Sequence, residues 1–262
     1  MRFIRYQTGA DAPRYGWVYE DRVGPIEGVP FGEFRRLEAE TPLSMVRLLA
    51  PIQPGKIICV GRNYAEHAKE QNVEVPEIPL LFMKPPSAVI GPDENIILPP
   101  QSRQVEHEGE LGVVIGRRGR WIPSEEALQY VLGYTVANDV TARDLQRRDG
   151  QWTRGKGFDT FCPLGPWIET ELDPSDVMVQ TRVNGEMRQM ASTREMMFPI
   201  QQLIAFISSI MTLDPGDLIL SGTPSGIGPL TAGDVVEVSV EGIGALRNPI
   251  IAGTGKVEPI GK

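Results

Sequence analysis

Glycine and proline, 28 and 23 of the 262 residues, are scattered along this chain instead of clustering. Scattered in this way they act as turn punctuation between short β-branched or aromatic runs, which points to a strand-rich α+β fold. The runs Phe3–Tyr6, Trp17–Tyr19, Lys56–Val60, Asn95–Leu98, Leu111–Ile115, Tyr134–Ala137, Leu218–Leu220 and Val235–Val240 read as strands. Val177–Val183 leads into Asn184-Gly185, the strongest short hairpin signal in the chain.

Three helices are expected. Tyr64–Glu70 is short, and Ser124–Val131 has Ser124 as N-cap before Glu125 and Glu126. The third sets Ile200, Leu203, Ile204, Ile207, Ile210 and Met211 on one face as core packing. Another short helix is expected near Met45–Leu49. Pro51 and Pro54-Gly55 then mark a boundary between a small N-terminal subdomain, residues 1–54, and a larger unit, residues 55–262.

The formal net charge of -8 offers no basic excess for nucleic acid or an anionic membrane. Cys59 and Cys162 have no metal or redox spacing and suit a reducing compartment. The start, Met1 to Arg5, lacks a signal-peptide core, and Phe198–Leu213 is too short and too interrupted to span a bilayer. A cytoplasmic, soluble protein is expected.

Candidate chemistry begins at Glu108-Gly109-Glu110. On an extended strand, residues two apart share a face, roughly 6.6 Å apart at Cα. Two carboxylates so placed form either a solvated strand edge or a site whose repulsion a hard divalent cation relieves. Asp139, at the end of the apolar strand Tyr134–Ala137, adds a third carboxylate. The all-oxygen set suits Mg²⁺ or Mn²⁺ and leaves about three octahedral positions for water and a bidentate substrate. Zinc fits poorly, because there are two histidines and His107-Glu108 begins no His-Glu-x-x-His motif.

Lys156 sits between Gly155 and Gly157, which let an ammonium approach a ligand closely, although it could equally be a surface lysine. Arg143-Asp144 could likewise be a simple helix-start pair. His67 and Glu70, three apart on one helix face, could form a base whose imidazole is oriented by a carboxylate, or an exposed local contact. Ser221–Gly228 is not a dinucleotide loop; it is either a surface turn or a loop presenting backbone N–H groups and the Thr223 hydroxyl to a carboxylate.

In order along the chain, six stretches resemble the fumarylacetoacetate hydrolase family. They are Gly61-Arg62-Asn63-Tyr64 with His67 and Glu70, Leu81–Pro85, Glu108–Leu111, Asn138–Asp144, Gly155–Asp159 and Gly222–Gly226. The resemblance implies a mixed β-roll and a homodimer. It implies that Glu108, Glu110 and Asp139 bind the metal, and that Arg62, Arg143, Gln146 and Thr223 contact the substrate. Lys156 would be catalytic, and His67 with Glu70 would activate water on a lid. The additional aspartate ligand of the family's large eukaryotic hydrolases has no clear counterpart.

The function implied is metal-dependent chemistry on a small 2-oxo (enol) dicarboxylate of aromatic catabolism. Isomerisation of 2-hydroxyhepta-2,4-diene-1,7-dioate with the linked oxo-dicarboxylate decarboxylation comes first. Hydrolysis of an acylpyruvate of the fumarylpyruvate type, or decarboxylation of oxaloacetate, is the alternative. A non-catalytic binding module for a metal and an oxo acid would be expected to have lost a ligand or the His67–Glu70 pair.

Overall fold

The computed structural model describes residues 1–255; residues 256–262, expected to close the larger unit, lie outside the described residues. Strands dominate. A 13-stranded mixed sheet carries, side by side, β1 (Arg2–Gln7), β5 (Cys162–Glu169), β4 (Val131–Asn138), β3 (Gly109–Ile115), β6 (Leu218–Leu220) and β2 (Ile57–Gly61). β6 and β2 run parallel, whereas β3 is antiparallel to both β4 and β6. A second sheet of five strands holds Met178–Val183, Glu186–Ser192, Val235–Val240, Gly244–Ala252 and Ile96–Leu98.

All seven residues of β3 are buried. It lies between two other strands and is covered on both faces, so its apolar run is nearly continuous instead of alternating. Leu111, Val113 and Ile115 join the largest apolar cluster and Val114 joins a second one. The expected hairpin forms, with Asn184 at φ 53° and Gly185 at φ 84°, the left-handed pair that a two-residue turn requires.

Among the described residues the helices are α1 (Ala65–Glu70), α2 (Arg143–Asp149), α3 (Thr153–Lys156) and α4 (Ile200–Ile210), with four 3₁₀ segments besides. In α4, Ile200, Leu203, Ile204 and Ile207 are buried as their spacing predicts. Each is worth roughly 1.5–3 kcal/mol over an exposed side chain. Ile210, in the last turn, is instead 49% exposed, and Met211 is already extended.

Two other expectations fail. Residues 43–45 form one 3₁₀ turn, and Arg47–Leu49 is a strand paired to β1, so tertiary pairing overrides local helix preference there. Ser124 opens a 3₁₀ helix but makes no cap bond; Glu126 N–H closes a turn on the Pro123 carbonyl instead. No helix among the described residues is long and apolar enough to cross a membrane.

Candidate metal centre and active site

Strand register assembles the acidic centre. Gly109 on β3 faces Asn138 on β4, so the residues flanking that pair, Glu108 and Asp139, end side by side. The Asp139 N–H donates to the Glu108 carbonyl at 2.8 Å, and the Asn138 side-chain oxygen accepts from the Glu108 N–H at 3.0 Å. Glu108, Glu110 and Asp139 are all buried, and one carboxylate oxygen from each lies within 4.8 Å of the others.

Their charges are unequally balanced. Glu108 accepts from Lys156 Nζ at 2.7 Å and from Arg143. Desolvation would raise its pKa, but those two cations hold it well below the usual carboxylate range. Asp139 accepts from Lys156 at 2.6 Å and from Lys84 at 2.6 Å. Glu110 accepts a single hydrogen bond, from the Gly222 N–H at 2.7 Å. Burial, and then the charges of Asp139 and Glu108, push Glu110 well above the usual range. A buried carboxylate with two like charges beside it and, among the described residues, no cation of its own fits a hard divalent ion. All three donors are oxygens, as Mg²⁺ or Mn²⁺ prefers.

The side chains singled out in the sequence converge here. Arg62, His67, Arg143, Gln146, Lys156 and Thr223 line one cavity of about 440 Å³ with the three acids. Lys156 is no surface lysine: it is 2% exposed, and the Asp139 and Glu108 charges more than offset desolvation and hold its pKa above the ordinary value. Arg143 does not pair with Asp144. Its guanidinium donates to Glu106 at 2.7 Å, to Glu108 and to Gln146, whereas Asp144 accepts from Ser102 and the Arg103 N–H.

His67 is buried on α1, with Nδ1 3.3 Å from Glu70 Oε2. A carboxylate can only accept here, which assigns the proton to Nδ1, so that in the neutral ring Nε2 is the free acceptor. The other Glu70 oxygen takes the Gly226 N–H at 3.0 Å. These bonds from His67 and Gly226 outweigh desolvation and lower the Glu70 pKa. Glu70 thus reaches the site through His67 and does not line the cavity.

The 221–228 loop serves a different carboxylate from the one expected. Its Gly222 N–H holds Glu110, not a ligand. Gly222 is required there: φ is +100°, and a Cβ would sit 2.6 Å from that of Asn63. The Thr223 hydroxyl donates to the Gly109 carbonyl and accepts from Gln189, so it is already occupied although Thr223 lines the cavity.

Sequence reasoning missed Glu106, Lys84, Gln189 and Arg147. Glu106 had a signal, since Glu106, Glu108 and Glu110 recur at every second position. Lys84 lies in a noted stretch, but nothing local ties it to Asp139, 55 residues away. Gln189 had none: it comes from the second sheet to accept from the Gly109 N–H and Thr181 and to contact His107.

A strand-rich scaffold that gathers three buried carboxylates, a buried lysine and a carboxylate-oriented histidine around one cavity defines a candidate acid–base metalloenzyme. Residues 56–251 match the family model described as fumarylacetoacetate (FAA) hydrolase C-terminal, and residues 1–51 match Rv2993c-like, N-terminal. This chain belongs to the fumarylacetoacetate hydrolase family.

Among curated relatives, the mitochondrial oxaloacetate tautomerase Fahd2a of Rattus norvegicus is 47% identical over 232 residues, 83% of this chain and 74% of that protein. The crystal structure of 5-carboxymethyl-2-hydroxymuconate delta-isomerase from Mycobacterium smegmatis is 47% identical with a TM-score of 0.91, covering 97% of this chain and 100% of that one. That of 2-hydroxyhepta-2,4-diene-1,7-dioate isomerase from Mycobacterium marinum is 43% identical with a TM-score of 0.90, covering 98% and 100%.

Proposed function

We propose that this protein is a Mg²⁺- or Mn²⁺-dependent isomerase that moves a proton on a small 2-oxo (enol) dicarboxylate, such as 2-hydroxyhepta-2,4-diene-1,7-dioate or oxaloacetate. The observation that carries the reading is the buried triad Glu108, Glu110 and Asp139, with Lys156 bonded to two of its members beside His67 in one cavity. Relatives named as tautomerases and isomerases support it.

Glu108, Glu110 and Asp139 would hold the ion, which as a Lewis acid would polarise the 2-oxygen and carboxylate of the substrate. Lys156 places a preorganised ammonium where the 2-oxygen carries the negative charge of the enolate. Arg143, fixed by Glu106, adds a second positive charge and orients Gln146. His67 Nε2 would carry the proton between the 2-oxygen and carbon, C3 in oxaloacetate and C5 in the conjugated dienol, and Glu70 keeps the ring in the required tautomer.

A second reading, C–C hydrolysis of an acylpyruvate, draws on the His67–Glu70 pair, because hydrolysis needs an activated water. Decarboxylation of oxaloacetate would use the same enolate stabilisation. A binding module without catalysis is disfavoured by the presence of every one of these groups. Cys59 and Cys162, free and buried, suit action in the cytoplasm, and the family resemblance suggests a homodimer.

The deciding experiment follows enol-oxaloacetate spectroscopically with Mn²⁺, with EDTA and in Lys156→Met. Rapid ketonisation, abolished by EDTA and slowed at least 100-fold in the variant, is expected. Undiminished rates in metal-stripped protein would overturn the reading, and hydrolysis of an acylpyruvate without ketonisation would establish the second.

A further inference from the structure

We infer that Arg62 and Arg147 form the subsite that recognises the distal carboxylate of the substrate, and so select dioic over monoic 2-oxo acids. This rests on the reading of the cavity as one for a metal-held 2-oxo acid.

Four cationic side chains line the cavity: Arg62, Arg143, Arg147 and Lys156. Two are already engaged. Arg143 lies between Glu106 and Glu108, and Lys156 between Glu108 and Asp139. The other two have no carboxylate at ion-pair distance among the described residues. Arg147 makes one long contact, 3.4 Å, to the neutral amide oxygen of Gln71. Arg62 lies over the Trp152 ring, 5.8 Å from its centroid.

An unpaired arginine in solvent is ordinary, but Arg62 is placed at a cost. Its backbone is at φ 58°, the left-handed region that a long side chain rarely adopts. The preceding residue must be Gly61, because a Cβ there would stand 2.8 Å from the Trp152 ring. The local chain is therefore bent so that Trp152 and Arg62 meet at the cavity wall.

Charge completes the argument. Around the centre, Glu106, Glu108, Glu110 and Asp139, when all four are ionised as metal ligation requires of Glu110, face Lys84, Arg143 and Lys156 and leave one net negative charge. A divalent ion reverses this to one positive. Arg62 and Arg147, set against Glu70, raise the total to two, which suits a dianion better than a monoanion. Arg143 and Arg147 are separated by one turn of α2, about 6 Å along its axis. An acid anchored beside Arg143 would thus offer its far end to Arg147, whose planar fork suits a carboxylate. Gln71 caps the C-terminus of α1, so the same guanidinium also touches the helix that carries His67.

Calorimetry on the Mn²⁺-loaded full-length protein tests this with two five-carbon probes, 2-oxoglutarate and 2-oxopentanoate. The readout is the ratio of their affinities. The parent should prefer the dioate by tenfold or more, and Arg62→Met/Arg147→Met should lose that preference. The lysine pair Arg62→Lys/Arg147→Lys should recover part of it, and circular dichroism melts check that each variant is folded. A double methionine variant that keeps the tenfold ratio, or a parent with no preference, would overturn the subsite. A parent that prefers the dioate but leaves enol-oxaloacetate unchanged would instead overturn the proposed reaction and leave the subsite standing.

Discussion

Lys84→Met removes an ammonium that is 0% exposed and that donates to Asp139 Oδ1 at 2.6 Å and to the Val140 carbonyl at 3.0 Å. Deleting one partner of a buried ion pair typically costs 3–5 kcal/mol, because the other charge stays buried without compensation. Asp139 retains Lys156 at 2.6 Å, which places the loss at the low end, about 3 kcal/mol. For a chain of this size that corresponds to a fall in melting temperature of roughly 6–12 °C. Urea denaturation of the parent, Lys84→Met, Asp139→Asn and the double variant would close a thermodynamic cycle. Lys84→Met should cost much less in the Asp139→Asn background, and saturating Mn²⁺ should narrow the gap between Lys84→Met and the parent. A loss under about 1 kcal/mol, or an equal loss in both backgrounds, would refute the assignment of Lys84 as the counter-ion of Asp139.

Glu110→Gln keeps the shape but removes the charge that has no cation of its own, so Mn²⁺ affinity by calorimetry should drop at least 100-fold; near-parental affinity would remove Glu110 from the ligand set. His67→Ala should abolish any acylpyruvate hydrolysis, while ketonisation survives at a reduced rate; Glu70→Gln should do the same more mildly. Equal rates in the parent and His67→Ala would make the pair a structural contact. Burial disfavours the Lys56 charge, but hydrogen bonds to Asp217 and Asp214 hold its pKa above the ordinary 10.5. The stabilisation is then complete below that value and lost as pH rises through the folded-state pKa. Lys56→Met should flatten the alkaline limb of stability above about pH 10.5, and an unchanged limb would contradict the linkage.

What the sequence discloses here depends on how local the cause is. Glu108 and Glu110 share a face because of strand period alone, and Asn184-Gly185 turns because two residues adopt positive φ. The α4 stripe is visible for the same reason, since helical period acts within a few residues. Partners fixed by tertiary contact are not visible in this way. Gly222 holds Glu110 across 112 positions, and Glu70 takes the Gly226 N–H across 156. Residues 47–49 are a strand only because β1 is beside them. Arg143 shows the same limit: its neighbour in sequence is Asp144, but its ionic partners are Glu106 and Glu108. For Arg143, Lys156 and the loop, the family resemblance implied roles that spacing could not.

The register of β3 against β4 has an evolutionary reading. All three acids hang from this single strand pair, and a slip of one position would turn every side chain to the other face. Val60, Gly61 and Phe82 line the cavity from strands, but Arg62, Gln71, Val73, Gln146, Arg147 and Trp152 come from short helices and the loops beside them. Such segments tolerate exchange that a buried strand pair does not. On the proposed function, lineages sharing this scaffold would trade one acid for another by rewriting the rim while keeping the acidic cluster unchanged, and divergence among their substrates should map to the rim positions 62, 71, 73, 146, 147 and 152.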